Sequence, residues 1–111
     1  MKVIVIYGSP NDKPFMEPAR EYFAQENVPY EETVLSAHRD LPAALPGVVV
    51  MSCSLPVIGV PVPGGPLNGI DALLAIAQCP GGVPCTTVGL HKKTPVNAAM
   101  AAHRILKLAG L

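Results

Sequence analysis

The sequence contains little charge and no excess of either sign. Only 14% of its 111 residues are Asp, Glu, Lys or Arg, and the formal net charge at pH 7 is zero. The lysines and arginines are scattered along the chain, so the clustered basic segment typical of nucleic-acid binding is missing. We therefore expect no nucleic-acid partner.

A long hydrophobic run is also missing. Residues 3–7 form a short apolar stretch that ends at Gly8. It is too short for the apolar region of a signal peptide and far shorter than the ~20 residues of a membrane-spanning helix. We predict a cytoplasmic protein with no membrane partner.

The three cysteines, Cys53, Cys79 and Cys85, form no Cys-x-x-Cys pair, and their number is odd. This pattern argues against a disulfide framework and against a zinc site. We interpret all three as small buried thiols and predict no metal site.

Length and hydrophobicity indicate one domain that spans residues 1–111. Half of the residues are hydrophobic, which in so small a chain would leave considerable apolar surface exposed. We therefore predict an α/β protein that forms a homo-oligomer.

The first 35 residues show the pattern of a strand, a helix and a second strand. Residues 2–7 and 30–35 form β-branched or apolar runs typical of strands. Asp12 is a plausible helix cap, and Pro18 predicts that the helix starts late or bends. The apolar face of this helix comprises Phe15, Met16, Ala19, Tyr22 and Phe23. Such a unit implies a parallel sheet with a right-handed crossover.

The second half repeats this alternation, with predicted strands at 57–60 and 85–90. Asn68 resembles a helix cap, and Thr94-Pro95 is a strong start signal for a helix through about residue 108. The apolar face predicted for the helix after Asn68 comprises Ile70, Leu73, Leu74 and Ala77. Alternating strands and helices predict a doubly wound sandwich that binds ligands at the carboxyl ends of its strands.

Residues 47–54 present a conflict between propensity and topology. Their β-branched run favours a strand. However, only residues 54–56 separate this run from the strand predicted at residue 57, and a parallel crossover needs a dozen or so residues. We therefore predict a buried helix.

Five motifs follow one another in a characteristic order. They are Gly8-Ser9-x-x-Asp12, Ser36-Ala37-His38-Arg39, Leu45-Pro46-Gly47-Val48-Val49, Leu55-Pro56-Val57-Ile58-Gly59-Val60-Pro61-Val62, and the stretch from Leu67 to Pro84. In this order the chain resembles the PurE family of 5-(carboxyamino)imidazole ribonucleotide mutases, also called AIR carboxylase-like. The resemblance implies a flavodoxin-like three-layer sandwich with a parallel sheet.

The interval between the second and third motifs departs from the family. In PurE a helix, a central strand and a glycine-rich stretch occupy this interval, whereas here it contains only residues 40–44. The family histidine before Leu-Pro-Gly falls on Ala44. We therefore expect a fold that is reduced relative to full-length PurE by an internal deletion.

The resemblance implies that His38 is catalytic. Imidazole can both give and take a proton near neutral pH. Four further residues would bind the substrate: Ser9, Asp12, Ser36 and Arg39. Arg39 offers a planar fork that matches a phosphate, Ser9 stands near a helix start, and Asp12 would accept hydrogen bonds from ribose hydroxyls. We interpret His91 and His103 as structural.

The implied function is a mutase of de novo purine biosynthesis, an isomerase that moves a carboxyl group from an exocyclic nitrogen to a ring carbon. The resemblance implies a small ribonucleotide substrate, no metal or organic cofactor, and an octamer. Two alternatives remain open: a non-catalytic PurE-like protein that binds ribonucleotides or forms oligomers, and a carboxylase that acts on another nucleotide, like the relatives that build nickel-pincer cofactors.

Overall fold

The computed structural model describes residues 1–35 and 45–111. In the described part of the chain, four strands alternate with helices. The strands are β1 (Val3–Tyr7), β2 (Tyr30–Val34), β3 (Ile58–Gly59) and β4 (Thr86–Thr87). The helices are a 3₁₀ helix (Pro10–Met16), α1 (Glu17–Gln25), α2 (Leu45–Ser52), α3 (Ile70–Ala77) and α4 (Thr94–Leu108). None of the helices in these two ranges is long and apolar enough to cross a membrane.

β1 and β2 form the parallel pair predicted for the first 35 residues. The register aligns Val3 with Tyr30 and Tyr7 with Val34. Tyr7 is buried, whereas Ile4, on the opposite side of the strand, is 52% exposed. Because successive side chains of a strand point to opposite faces, Tyr7 faces the core and Ile4 faces away from it. The predicted βαβ unit is confirmed.

The crossover helix starts differently from our expectation. Ser9, not Asp12, caps the 3₁₀ helix, because Ser9 is extended and its Oγ accepts a hydrogen bond from the Asn11 N–H at 3.2 Å. Pro10 then occupies the first helical position, where its missing N–H costs nothing. Regular α-helix begins only at Glu17, so that Pro18 lies in its first turn. The predicted late start is confirmed, and the predicted Asp12 cap is wrong.

The core lies between the first sheet, α1 and the C-terminal helix α4. Its buried residues are Tyr7, Met16, Ala19, Phe23, Val28 and Ala99. The apolar face predicted for the first helix thus supplies half of these residues, Met16, Ala19 and Phe23, and α4 packs against α1. The Tyr22 hydroxyl also hydrogen-bonds His103 Nδ1 of α4, at 2.8 Å. The last helix therefore completes the packing of the first unit.

α4 confirms the helix predicted from Thr94-Pro95, but it begins one residue earlier, because Thr94 is its first residue and Lys93, not Thr94, is its N-cap. The Thr94 side chain is fully buried. Its hydroxyl donates to the Gly89 carbonyl at 3.1 Å and accepts from the His91 N–H at 2.8 Å. Thr94 therefore fixes the loop that enters the helix.

α2 confirms the helix predicted against strand propensity, with its end at Ser52 rather than at residue 54. Val50 is buried, whereas Ser52 and Cys53 are exposed. Burial stabilises by ~25 cal/mol for each Å² of apolar surface removed from water. For a whole buried valine side chain this gain exceeds the few tenths of a kcal/mol by which valine disfavours a helix.

α3 buries a different face from the one predicted. Ile70 and Leu74 are 50% and 48% exposed, whereas Ile76 is 3% exposed. Ile76 packs against β3, where a side chain at Gly59 would place a Cβ 2.7 Å from Ile76 Cδ1. A glycine is required there because the strand passes so close to the helix. The predicted Ile70-Leu74 face is therefore on the surface.

The N-terminus of α3 also differs, since its cap is Gly69 and not Asn68. Gly69 has a φ of 91°, and a Cβ there would lie 2.9 Å from Leu90 Cδ1 and 3.3 Å from the Val62 carbonyl oxygen. Only glycine combines this left-handed backbone with such a close approach. The asparagine cap predicted from sequence is wrong by one residue.

The described strands form two separate parallel pairs, β1–β2 and β3–β4. The second pair aligns Ile58 with Thr86 and Gly59 with Thr87, so it is much shorter than the strands predicted at 57–60 and 85–90. Within residues 1–35 and 45–111, no strand joins the two pairs. The architecture is an α/β fold consistent with a shortened flavodoxin-like sandwich.

The prediction of buried cysteines is wrong. Cys53 is exposed, and Cys79 and Cys85 are half-buried. Cys53 follows the end of α2, and the other two flank the loop between α3 and β4. The odd number of cysteines and the missing Cys-x-x-Cys pair, from which burial was predicted, do not indicate how much of each thiol the fold covers.

Candidate functional site

The carboxyl ends of β1 and β2 define the candidate site. Tyr7 pairs with Val34 at the end of the register, and the Leu35 N–H donates to the Tyr7 carbonyl at 2.9 Å. The two chain segments therefore leave the sheet side by side. One continues into Gly8 and Ser9, and the other continues into residue 36. Ligands of open parallel sheets bind at such an edge.

Ser36, His38 and Arg39, three of the five predicted site residues, lie outside the described residues. In the sequence, Ser36 directly follows Leu35, and His38 and Arg39 come shortly after it. Ser9 and Asp12 are described, and the structure brings both to the edge at which β1 ends.

Ser9 is half-buried, with its backbone extended and its hydroxyl oxygen engaged by the Asn11 N–H. The Asp12 N–H donates to the Ser9 carbonyl at 3.2 Å. A serine hydroxyl that accepts one hydrogen bond keeps its own proton for donation. Ser9 can therefore cap the helix and donate to an anionic oxygen at the same time.

Asp12 carries a half-buried carboxyl group. Within the described part of the chain, no side chain or N–H group donates a hydrogen bond to it. Burial raises the pKa of the Asp12 carboxyl above its ordinary value. A partly desolvated carboxylate without donors gains from a ligand that supplies hydroxyl groups.

Arg20 is the centre of a polar cluster beneath this edge. Its Nη2 donates to the Lys13 carbonyl at 2.8 Å and to Glu17 Oε2 at 2.6 Å. Its Nη1 donates to the Tyr7 hydroxyl and to Glu32 Oε1, both at 3.1 Å. One guanidinium thus joins the 3₁₀ helix, α1, β1 and β2.

The Arg20 cluster fixes the segment that carries the two described site residues. Lys13 directly follows Asp12, and Tyr7 lies two residues before Ser9. The planar fork of an arginine can hold several acceptors in one fixed geometry. Sequence reasoning missed this role, and the only signal available was the i,i+3 spacing of Glu17 and Arg20.

Tyr7 is not a candidate base in this cluster. Burial, followed by the negative charge of Glu32, raises the pKa of Tyr7 to about 12, although Arg20 acts in the opposite direction. The hydroxyl therefore stays protonated at neutral pH. It donates to Glu32 Oε1 at 3.3 Å while it accepts from Arg20.

The two described histidines make structural contacts. His103 is buried and bonded to Tyr22, and the Nδ1 of the exposed His91 accepts the Lys93 N–H at 3.1 Å. Among residues 1–35 and 45–111, no group of three His, Cys, Asp or Glu side chains could hold a metal ion.

Comparison with known proteins identifies the relatives of this chain. The sequence model of a family described as AIR carboxylase matches residues 40–110. An N5-carboxyaminoimidazole ribonucleotide mutase of Saccharolobus solfataricus is 42% identical, over 95% of this chain and 80% of the relative. A mutase of the same name from Bacillus subtilis is 39% identical, over 92% of this chain and 78% of the relative.

The same chain also resembles part of a longer protein. A phosphoribosylaminoimidazole carboxylase of Ogataea methanolica is 40% identical over 92% of this chain, which corresponds to 23% of the relative.

These alignments also bear on the expected internal deletion. The alignment with the Saccharolobus solfataricus mutase spans 129 positions, more than the 111 residues of this chain. The relative therefore carries residues inside the matched region that have no counterpart here, as the short interval at 40–44 predicts. Because the family model matches residues 40–110 and the Saccharolobus solfataricus mutase is 42% identical over 95% of this chain, the chain belongs to the AIR carboxylase family.

Proposed function

We propose that this chain is an N5-carboxyaminoimidazole ribonucleotide mutase of purine biosynthesis. The observation that carries the proposal is the shared edge at Tyr7 and Val34, which the Ser9-Asp12 segment and the Ser36–Arg39 motif follow in the sequence. The names of the 42% and 39% identical relatives agree with this activity.

In the proposed mechanism His38 transfers the proton twice. As the imidazolium, it protonates the carbamate nitrogen of the substrate, so that the N–C bond breaks and carbon dioxide and aminoimidazole ribonucleotide form. The ring carbon then attacks the carbon dioxide, and the neutral imidazole removes the proton from that carbon. His38 ends in its initial state, as a residue that acts in turn as acid and base must.

Four residues would hold the ribonucleotide during this transfer. Arg39 and Ser9 would bind the 5′-phosphate, through a guanidinium fork and a hydroxyl donor at a helix start. Asp12 would accept hydrogen bonds from ribose hydroxyls, a role for which its open carboxylate is suited. Ser36 would contribute a further hydroxyl.

The proposed reaction needs no metal or organic cofactor. Substrate and product are isomers, so the reaction has no net oxidation or reduction, and one proton leaves the ring carbon for each proton given to the nitrogen. We also propose that the enzyme acts in the cytoplasm.

We further propose a homo-oligomer, an octamer by resemblance to the family. Leu67, Ile70 and Leu74 are 56%, 50% and 48% exposed and form an apolar surface on and just before α3. An apolar surface of this kind is typical of subunit interfaces. Sedimentation should therefore show an assembly at micromolar concentration that Leu74→Asp disrupts, and a stable wild-type monomer would refute the proposal.

A second candidate function is a non-catalytic ribonucleotide-binding or oligomer-forming protein. The short interval of residues 40–44, with Ala44 where the family has histidine, favours it. The segment that would cover the imidazole base in the family has no counterpart between the two flanking motifs.

One assay separates the two candidates. The purified protein is mixed with N5-carboxyaminoimidazole ribonucleotide, and formation of the ring-carboxylated product is followed by absorbance, with calorimetric titration of aminoimidazole ribonucleotide in parallel. Turnover supports the mutase. Binding without turnover supports the second candidate, and absence of both refutes ribonucleotide recognition at this site.

A further inference from the structure

The 3₁₀ helix at residues 10–16 is long for a helix of this type. Runs of more than about three or four residues are uncommon, because the hydrogen bonds of a 3₁₀ helix have poor geometry, whereas this helix spans seven residues. The N–H of Glu17, its C-cap, donates to the Pro14 carbonyl. In an α-helix that N–H would reach the Lys13 carbonyl instead. The segment therefore keeps a form that needs support from outside the helix.

Arg20 supplies this support from α1. Its Nη2 donates to the Lys13 carbonyl at 2.8 Å, which is the acceptor that the Glu17 N–H would use in an α-helix. Its Nη1 donates to Glu32 Oε1 of β2 at 3.1 Å, and the Arg20 and Glu32 side chains are only 21% and 19% exposed. Such a partly buried ion pair is screened less than an exposed one. Arg20 thus ties the 3₁₀ helix to the sheet.

The form of this segment decides where the Asp12 carboxylate points. About three residues complete a full turn of a 3₁₀ helix, but they cover only about 300° of an α-helix. Conversion of residues 10–16 to α-helix would therefore rotate Asp12 by roughly 60° relative to the helix start at Ser9. The Asp12 N–H donates to the Ser9 carbonyl, three residues earlier, as a 3₁₀ turn requires. Lys13, whose carbonyl Arg20 holds, directly follows Asp12.

We propose that Arg20 is a positioning residue for ribonucleotide binding. With Glu32 as its anchor, Arg20 holds residues 10–16 in the 3₁₀ form, in which the Asp12 carboxylate meets the ribose hydroxyls. Arg20 acts through the backbone at Lys13, so it changes the geometry of Asp12 and not the charge of the site. The inference rests on the proposed function in one respect, the recognition of a ribonucleotide at this edge.

The test measures the Kd for aminoimidazole ribonucleotide by calorimetry on the full-length chain. Arg20→Met removes the donors but keeps an aliphatic stem, and it should raise Kd about tenfold, as expected for one hydrogen bond to a charged group. Glu32→Gln should raise Kd in the same direction, because the guanidinium loses its charged anchor on β2. If Arg20→Met does not fold, Glu32→Gln carries the same test.

Lys2→Gln is the matched control. Lys2 and Glu31 form a 2.6 Å ion pair at the amino ends of β1 and β2, away from the candidate site. Its loss should leave Kd unchanged. A purely structural effect of any variant is recognisable, because a loss of folded protein lowers the calorimetric stoichiometry and leaves Kd as it is.

A double variant tests whether Arg20 acts through Asp12. Asp12→Asn removes the carboxylate that Arg20 positions, so the addition of Arg20→Met to Asp12→Asn should change Kd by less than about twofold. If the two single effects multiply in the double variant, Arg20 acts elsewhere and the proposal is overturned.

The outcomes also separate this inference from the proposed function. If the wild type binds the ribonucleotide and folded Arg20→Met binds it equally well, the proposed function stands and the role of Arg20 is refuted. If the wild type does not bind, ribonucleotide recognition at this edge is refuted, and the inference is refuted with it.

Discussion

The two α/β units of the chain differ in how much each completes within one molecule. In residues 1–35, strands of five residues pair along their whole length, and the apolar face of α1 is buried. In residues 57–108, strands of two residues pair, and the outer face of α3 is exposed at Ile70 and Leu74. An apolar helix face in the sequence therefore predicts that the face is covered, but it does not say whether the same chain or another molecule covers it.

The cause of the difference lies in what covers each unit. α4 packs on α1 and adds Ala99 to the core of the first unit. The second unit receives no comparable cover on the outer face of α3 from residues 1–35 or 45–111. If a second copy covers that face, the two units become equivalent in the assembly.

The largest effect should come from His38→Asn, which tests whether the motif that directly follows the first unit in the sequence carries the chemistry. The asparagine cannot shuttle a proton, so kcat should fall by about 10²–10⁴-fold. His91→Asn, in the second unit, is the matched control and should retain wild-type turnover. Steady-state kinetics distinguishes the two, and equal activity of His38→Asn and the wild type would end the proposed mechanism.

The second prediction compares the stability contributed by the buried face of α1 with that contributed by the exposed face of α3. Phe23→Ala should lower the free energy of unfolding by about 3–5 kcal/mol, because Phe23 is 2% exposed in the core. Leu74→Ala should change the unfolding free energy of the dilute chain by less than about 0.5 kcal/mol. Urea denaturation measures both values. Similar losses for the two variants would mean that the comparison between the units is wrong.

Alkaline pH should weaken the first unit through Tyr7. Its pKa of about 12 lies above the ordinary 10 of an unfolded tyrosine, so the folded state holds the proton more tightly. The resulting stability is complete below pH 10 and is lost as the pH rises through 12, by up to about 3 kcal/mol at ~1.4 kcal/mol per pKa unit. Tyr7→Phe should remove this component from denaturation curves, and an unchanged pH dependence would contradict it.

The smallest effect should come from Asp12→Asn. Loss of charged hydrogen bonds to ribose should raise KM by about tenfold, with a smaller change in kcat. The variant should be at least as stable as the wild type, because it removes a carboxylate whose charged form burial disfavours. Kinetics and urea denaturation test the two statements. A destabilised Asp12→Asn would indicate that the carboxylate has a structural role.

Local signals in the sequence predicted the first unit, the start of α4 and the helix at α2. The two residues Thr94-Pro95 are by themselves a signal for the start of a helix. The few residues between α2 and β3 are too few for a parallel crossover, which excluded a strand at α2. The family resemblance predicted the site residues Ser9 and Asp12, whose positions at the end of β1 fit such a site.

Features that depend on distant contacts could not be predicted. Gly69 caps α3 because Leu90 and the Val62 backbone approach it closely. Arg20 donates hydrogen bonds to Tyr7 of β1 and Glu32 of β2, which no local spacing relates to it. In each case the deciding neighbour is set by the tertiary fold, which periodicity does not report.

The participation of α4 in the first core has a consequence for synthesis on the ribosome. Ala19 and Phe23 leave the ribosome early, but Ala99, which helps to bury them, is made some 75 residues later. At ~5–20 residues per second, the nascent unit waits several seconds with its apolar face uncovered. Co-translational folding of the first 35 residues is therefore incomplete, and the nascent chain offers a binding surface to a ribosome-associated chaperone until the last helix emerges.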